Sequence, residues 1–191
     1  LSNEILECEG TIDKYMGDCI MAFWNAPASQ DNHAELALKA GVKMRKALKE
    51  LNNELVGEGK LAMEIGIGIN TGDCIVGNMG SDKRFDYTVL GDAVNLAARL
   101  EGQSGSYGVN IVLGEETAKK MPNFKLIELD LIAVKGKTEP VRIYTYLSDL
   151  HIDEAAKLKE PQNAMLASYR EQNWDAAEHY LSLIHISEPT R

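Results

Sequence analysis

Long apolar runs are missing from this sequence. No stretch of the 191 residues approaches the roughly 20 consecutive apolar positions that a bilayer-spanning helix needs. The opening residues do not pattern as a secretory leader. No membrane contact is expected of this stretch of chain. Basic charge is also short. The sequence has 20 Lys and Arg against 29 Asp and Glu, a net charge of -9. That balance argues against a nucleic-acid surface. An anionic ligand would need a local basic cluster or metal ions to offset the negative background. Cysteine is scarce, and Cys8, Cys19 and Cys74 are odd in number, widely spaced and without metal-type pairing. Cys19 and Cys74 fall inside apolar strand-like runs, so buried free thiols in a reducing compartment are expected. The expected location is cytoplasmic.

What is present suits a globular protein with one core domain and an appendage. Residues 1–9 read as the end of a helix stopped by Gly10. Thr11–Tyr15 and Cys19–Trp24 read as strands of a hairpin that turns at Met16-Gly17-Asp18. Apolar residues at helical spacing, among them Ala37, Ala40, Met44, Leu48 and Leu51, predict a helix from Asp31 to about Leu55. Met63–Thr71 alternates as a strand, and Gly66 and Gly68 on its other face predict close approach by a neighbouring element or ligand. A second hairpin, a helix after Gly91, a strand at Asn110–Leu113, a short helix at Glu115–Lys120 and two strands near Leu126–Val134 and Val141–Leu147 follow. This order predicts an α+β fold with helices packed on a sheet rather than an alternating parallel fold. Residues 1–147 form the expected core domain. Residues 151–185 read as a helical hairpin turning at Gln172-Asn173, compatible with half of a helical-repeat array. Residues 186–191 break that pattern and read as a non-native tail.

The run from Arg84 to Arg99 carries the most information. Asn95 and Arg99 stand at i and i+4, on one helix face after the turn at Gly91. An amide beside a fixed cation near a helix start can hold a ribose and a phosphate that is gaining charge. In the first hairpin, Asp18 places a carboxylate at an exposed turn, and Lys14 lies four residues earlier. Taken singly, Asp18 reads equally as a turn former and Lys14 as a solvated edge lysine. Beside a bound triphosphate, Asp18 could instead ligate magnesium.

Several motifs agree at once. Gly10-Thr11-Ile12-Asp13-Lys14-Tyr15-Met16-Gly17-Asp18, Gly66-Ile67-Gly68-Ile69-Asn70-Thr71-Gly72, Gly77-Asn78-Met79-Gly80-Ser81 through Arg99, and Val134-Lys135-Gly136-Lys137-Thr138-Glu139-Pro140-Val141 follow in order. Together they resemble the class III nucleotidyl cyclase catalytic domain, over roughly residues 1–147. The resemblance implies a ferredoxin-like cyclase sheet, and conversion of ATP to 3′,5′-cyclic AMP and pyrophosphate in signal transduction. It implies two magnesium or manganese ions per site. Asp18 matches a metal-binding aspartate, Asn95 the ribose-orienting asparagine and Arg99 the transition-state arginine. Lys135 falls where the family places a lysine on the terminal phosphates, with Lys137 as the fallback. Lys14 and Thr88 match the two base-reading positions. A Lys ammonium donates to adenine N1 and a Thr hydroxyl accepts from the adenine amino group, whereas guanine presents N1–H and O6. The pair therefore favours ATP and looks like a bacterial-type adenylate cyclase subgroup, although Thr88 also reads as a plain strand threonine.

One departure stands out. The family's other metal-binding aspartate lies on a strand ahead of the first helix, and that strand is missing from this sequence. Weak or absent turnover is expected of the chain alone. The family builds its sites between two catalytic domains, which implies a homodimer with ATP at the interface. The helical tail is similar to a segment that follows the cyclase domain in some bacterial proteins with membrane-tethered sensors, which leaves tethering of the parent protein open. Two other readings compete: a guanylate cyclase, against which Lys14 and Thr88 argue, and a non-catalytic nucleotide-binding or dimerisation module.

Overall fold

The computed structural model describes residues 1–81, 83–134, 139–148 and 150–186. The chain divides into two compact units, Leu1–Met121 and Pro122–Arg191.

In the first unit, helix α1 (Ser2–Glu7) leads into the antiparallel hairpin of β1 (Thr11–Met16) and β2 (Cys19–Phe23). Met16 pairs with Cys19, so Gly17 and Asp18 form a two-residue turn. Gly17 has φ 64, a left-handed conformation that glycine adopts without a Cβ penalty. Helix α2 (His33–Gly57) follows the predicted bounds closely and buries Ala34, Ala37, Leu38, Ala40, Gly41 and Leu48. Leu51, expected on the core stripe, is exposed because the helix outruns the core at its C-terminal end.

Strand β3 (Ile67–Ile69) pairs in parallel with β6 (Ile111–Gly114). Between them come the antiparallel pair β4 (Ile75–Ser81) and β5 (Arg84–Leu90), then helices α3 (Asp92–Glu101) and α4 (Ser104–Tyr107). Helix α5 (Glu115–Lys119) follows β6. All four residues of β6 are buried, as suits a parallel strand covered on both faces. Leu38, Leu100, Ile111, Val112, Leu113 and Met121 centre the core.

The predicted strand over Met63–Thr71 is shorter than expected. The Asn52 side chain accepts from the Met63 N–H and donates to the Met63 carbonyl, each at 2.8 Å. With those backbone groups satisfied by α2, Met63 has no need of a ladder. The glycine expectation holds for Gly68: a Cβ there would collide with the Ala97 carbonyl and the Glu101 backbone. The neighbouring element is therefore α3. The cysteine expectation is corrected. Cys8 is buried, whereas Cys19 and Cys74 are exposed. Cys19 opens β2 right after the hairpin turn and Cys74 precedes β4, so both lie at strand starts away from the packed middle.

In the second unit, β7 (Leu126–Ile132) and β8 (Val141–Tyr146) pair antiparallel, with a bulge between Glu128 and Asp130. Helices α6 (Ile152–Arg170) and α7 (Trp174–Ile186) make the expected helical hairpin. The Tyr169 and Trp174 rings meet edge to face at 5.5 Å across its turn. Glu128 anchors α6: its carboxylate holds Arg142 and Arg170, and its carbonyl accepts from Gln162 at 3.0 Å. No helix among the described residues is long and apolar enough to cross a membrane.

Candidate active site

All the described candidate residues lie in the first unit. The ladder between β1 and β2 steps from Ile12↔Ala22 to Lys14↔Met21, leaving Asp13 as the extra residue of a bulge. Bulges redirect side chains, and here the carboxylate of Asp13 is taken to β5. Its Oδ2 accepts from the Thr88 hydroxyl at 2.6 Å and from the Val89 N–H at 3.2 Å. Its Oδ1 lies 3.2 Å from the Lys14 ammonium, and the side chain is 1% exposed. Burial pushes the Asp13 carboxyl up, but the hydrogen bonds from Thr88 and Val89 together with Lys14 outweigh it. The group ends below the ordinary carboxylate range and stays ionised. Lys14 is exposed and Thr88 is buried. The two proposed base readers are thus joined through a third residue.

Helix α3 carries the second group. Asn95 sits in its first turn and is exposed; Arg99 sits in its last turn and is half-buried. Both were expected near the helix start, but ten residues give α3 less than three turns, which puts Arg99 at the far end. The same face still presents amide and guanidinium one turn apart. Arg99 Nη1 is buried with no hydrogen-bond partner among the described residues. A buried cationic donor left unmatched is costly, and a phosphate or carboxylate oxygen is the partner a guanidinium suits. The helix is held firmly beneath. The Asn70 side chain donates to the Ala93 carbonyl at 3.0 Å, and Gly68 admits the α3 backbone against β3. The fully buried Thr117 links to Thr71 at 3.0 Å just beyond β3.

Asp18 stands exposed at the tip of the first hairpin, and no hydrogen bond or ion pair joins it to Asn95, Arg99, Lys14 or Thr88. Its carboxylate is a hard oxygen donor of the kind magnesium takes. Among the described residues no group of three or more His, Cys, Asp or Glu could hold a metal ion. Lys135 and Lys137 lie outside the described residues. Asp13 was not singled out from the sequence. The available signal was a second charged residue beside Lys14 in the first strand; the bulge that turns it inward left no mark in the pattern.

A family model for the adenylate and guanylate cyclase catalytic domain matches residues 11–148. The chain belongs to this family. The cyclase domain is 38% identical over 152 residues to an adenylate cyclase of Anabaena cylindrica, covering 75% of this chain and 29% of the relative. It thus spans less than a third of that relative's length. Among solved structures it resembles the adenylyl cyclase CyaB from P. aeruginosa, with TM-score 0.72, 39% identity and 78% of each chain covered. It also resembles the guanylyl cyclase Cya2, with TM-score 0.67, 36% identity and 79% of each chain covered. The α+β architecture of the cyclase domain is that of these nucleotidyl cyclases. The family generally uses divalent metal ions.

Proposed function

We propose that this cyclase domain forms 3′,5′-cyclic AMP and pyrophosphate from ATP. The observation that carries the reading is the buried Nη1 of Arg99, without a hydrogen-bond partner among the described residues, on the helix face it shares with Asn95. In the reaction the ribose 3′-oxygen bonds to the α-phosphorus, the bond from that phosphorus to the bridging oxygen breaks, and the hydroxyl proton is released. Charge builds on the α-phosphate oxygens as this happens. Arg99 meets that charge with a guanidinium whose Nη1 is already out of water, which is where electrostatic stabilisation contributes most. Asn95 orients the ribose, which places the 3′-hydroxyl in line with the bond to be broken. Lys14 and Thr88 read the base, and Lys135 holds the terminal phosphates.

Magnesium or manganese, two ions per site, would polarise the attacking hydroxyl and neutralise phosphate charge when bound. Asp18 supplies one ligand. The site forms in a homodimer in which Asp18 of one copy faces Asn95 and Arg99 of the other. Exposed apolar residues on the hairpins, including Tyr15, Met16, Ile75, Phe85 and Leu90, fit a surface that a second copy covers. The resulting signal would be cytoplasmic cyclic AMP.

The likeness to a guanylyl cyclase at 36% identity gives GTP a second place. The deciding assay incubates the chain, and a version extended at its N-terminus, with ATP or GTP and a divalent metal, and resolves the products by chromatography. Cyclic AMP is expected from ATP. Replacing Arg99 by Ala should lower kcat by about 100-fold or more while ATP affinity changes little. Equal loss of binding and turnover would remove Arg99 from the transition state; cyclic GMP as main product would reverse the substrate assignment.

A further inference from the structure

We propose that Asp13 is a specificity-determining positioning residue, whose buried carboxylate makes the Thr88 hydroxyl an obligate acceptor and steadies the Lys14 ammonium, so that the pair accepts adenine and rejects guanine. The inference rests on the assignment of Lys14 and Thr88 as base readers.

A threonine hydroxyl has one proton, two lone pairs and a free rotor. Left to itself, Thr88 would discriminate poorly. It could accept from the amino group of adenine, or turn and donate to O6 of guanine. Asp13 removes that choice. Its Oδ2 lies 2.6 Å from Thr88 Oγ1, and an ionised carboxylate only accepts, so the single hydroxyl proton is committed to it. The Val89 N–H fixes the same oxygen from the strand backbone at 3.2 Å. What Thr88 has left is lone pairs. Lys14, beside Oδ1 at 3.2 Å, has only donors. A donor next to an obligate acceptor complements N1 and the amino group of adenine. Guanine would set its N1–H against the Lys14 donors and its O6 against the Thr88 lone pairs. Two mismatched polar contacts are expensive, which is how a site built to hydrogen-bond one base rejects a near-isostere.

Local structure supports a dedicated arrangement. Asp13 is the residue that breaks the β1–β2 ladder, and the bulge turns its carboxylate to β5. A plain strand at this point would leave Thr88 without that partner. Burial alone would drive the Asp13 carboxyl toward its neutral form, yet its donors hold it low, so it remains the acceptor that the arrangement requires.

The test measures equilibrium binding of ATP and GTP to the chain by competition with a fluorescent nucleotide, with folding followed by thermal melting. Variants are Asp13→Asn, Thr88→Ala, Lys14→Ala and Asp13→Asn with Thr88→Ala. An asparagine can offer its amide to Thr88 and free the hydroxyl proton for the base. Asp13→Asn should therefore cut the ATP:GTP affinity ratio by about tenfold or more, largely by improved GTP binding. In the Thr88→Ala background the same substitution should change the ratio little. A folded Asp13→Asn protein with the wild-type ratio overturns the proposal, as does an equal change with Thr88 already removed. If Asp13→Asn does not fold, Asp13→Ala, which also frees the Thr88 hydroxyl proton, takes its place, and a wild-type ratio there overturns the proposal too. If neither Lys14→Ala nor Thr88→Ala alters the ratio, the base-reader assignment fails and Asp13 falls with it. A change in those two with Asp13→Asn silent removes only Asp13.

Discussion

The Asn70 side-chain amide donates to the Ala93 carbonyl at 3.0 Å, which fastens the end of β3 to the first turn of α3. Asn95 and Arg99 ride on that helix, so this one contact sets where an amide and a guanidinium stand. Asn70→Ala should cost about 1 kcal/mol of stability, the usual worth of a single hydrogen bond. It should lower kcat for cyclic nucleotide formation more than it weakens binding, with the ATP:GTP ratio unchanged. A variant with normal kcat would mean that α3 is held by its packing against Gly68 alone.

Much of this was legible in the sequence, and the exceptions have physical causes. The first hairpin, α2, the β4–β5 hairpin and α3 were readable because turn chemistry and apolar period coincide with the tertiary packing. The failures came where a side chain overrides the local pattern. Residues 63–66 alternate like a strand, but Asn52 takes the Met63 backbone to α2. Helix α4 has four residues, too few to leave a period. Cys19 and Cys74 looked buried because their neighbours are apolar, yet both lie at strand starts. At the site, Asn95 and Arg99 stood out by type and spacing, whereas Lys14, Asp18 and Thr88 took their expected roles from the resemblance to the cyclase family. Asp13 did not stand out, because a one-residue bulge sets its direction and bulges have no compositional signature.

The stability of the first unit should depend on His33 near neutral pH. Burial of the imidazole, aided by the nearby Lys120 ammonium, pushes its pKa below the ordinary value of 6.5. The folded chain thus resists a proton that the unfolded chain accepts. As pH falls from about 6.5 the unfolded state gains protons first, so stability drops on acidification and levels off below the folded pKa. Chemical denaturation at pH 7.5 and 5.5 should reveal this loss in the wild type and a smaller one in His33→Gln. Equal slopes in the two proteins would assign the effect to other groups.

In the second unit the same kind of test applies to Glu128. Its carboxylate is 11% exposed and serves two arginines, Arg142 from β8 and Arg170 from α6. Glu128→Gln keeps the shape and removes the charge. Both guanidiniums are partly solvated, so the penalty should be below that of a fully buried pair, about 1–3 kcal/mol. The loss should be local. Hydrogen exchange should quicken in α6 while α2 and β6 are unaffected. Uniform acceleration throughout would show that Glu128 supports global rather than local stability.

The proposed arrangement of the site between two copies makes a prediction that needs no structure of the dimer. If Asp18 of one copy serves Asn95 and Arg99 of its mate, Asp18→Ala and Arg99→Ala damage opposite halves of each site. Each variant alone should be inactive, because both sites of its homodimer carry the same lesion. Mixed in equal amounts and allowed to exchange, half the dimers should be heterodimers, each with one site carrying both lesions and one site intact. Activity should then recover to roughly a quarter of the wild type. The assay is run on chains extended at the N-terminus that are active before substitution. Recovery would place Asp18 and Arg99 in the same site on different copies. Failure to recover, with exchange verified by differently tagged chains, would put both residues in one copy's site and overturn the shared arrangement.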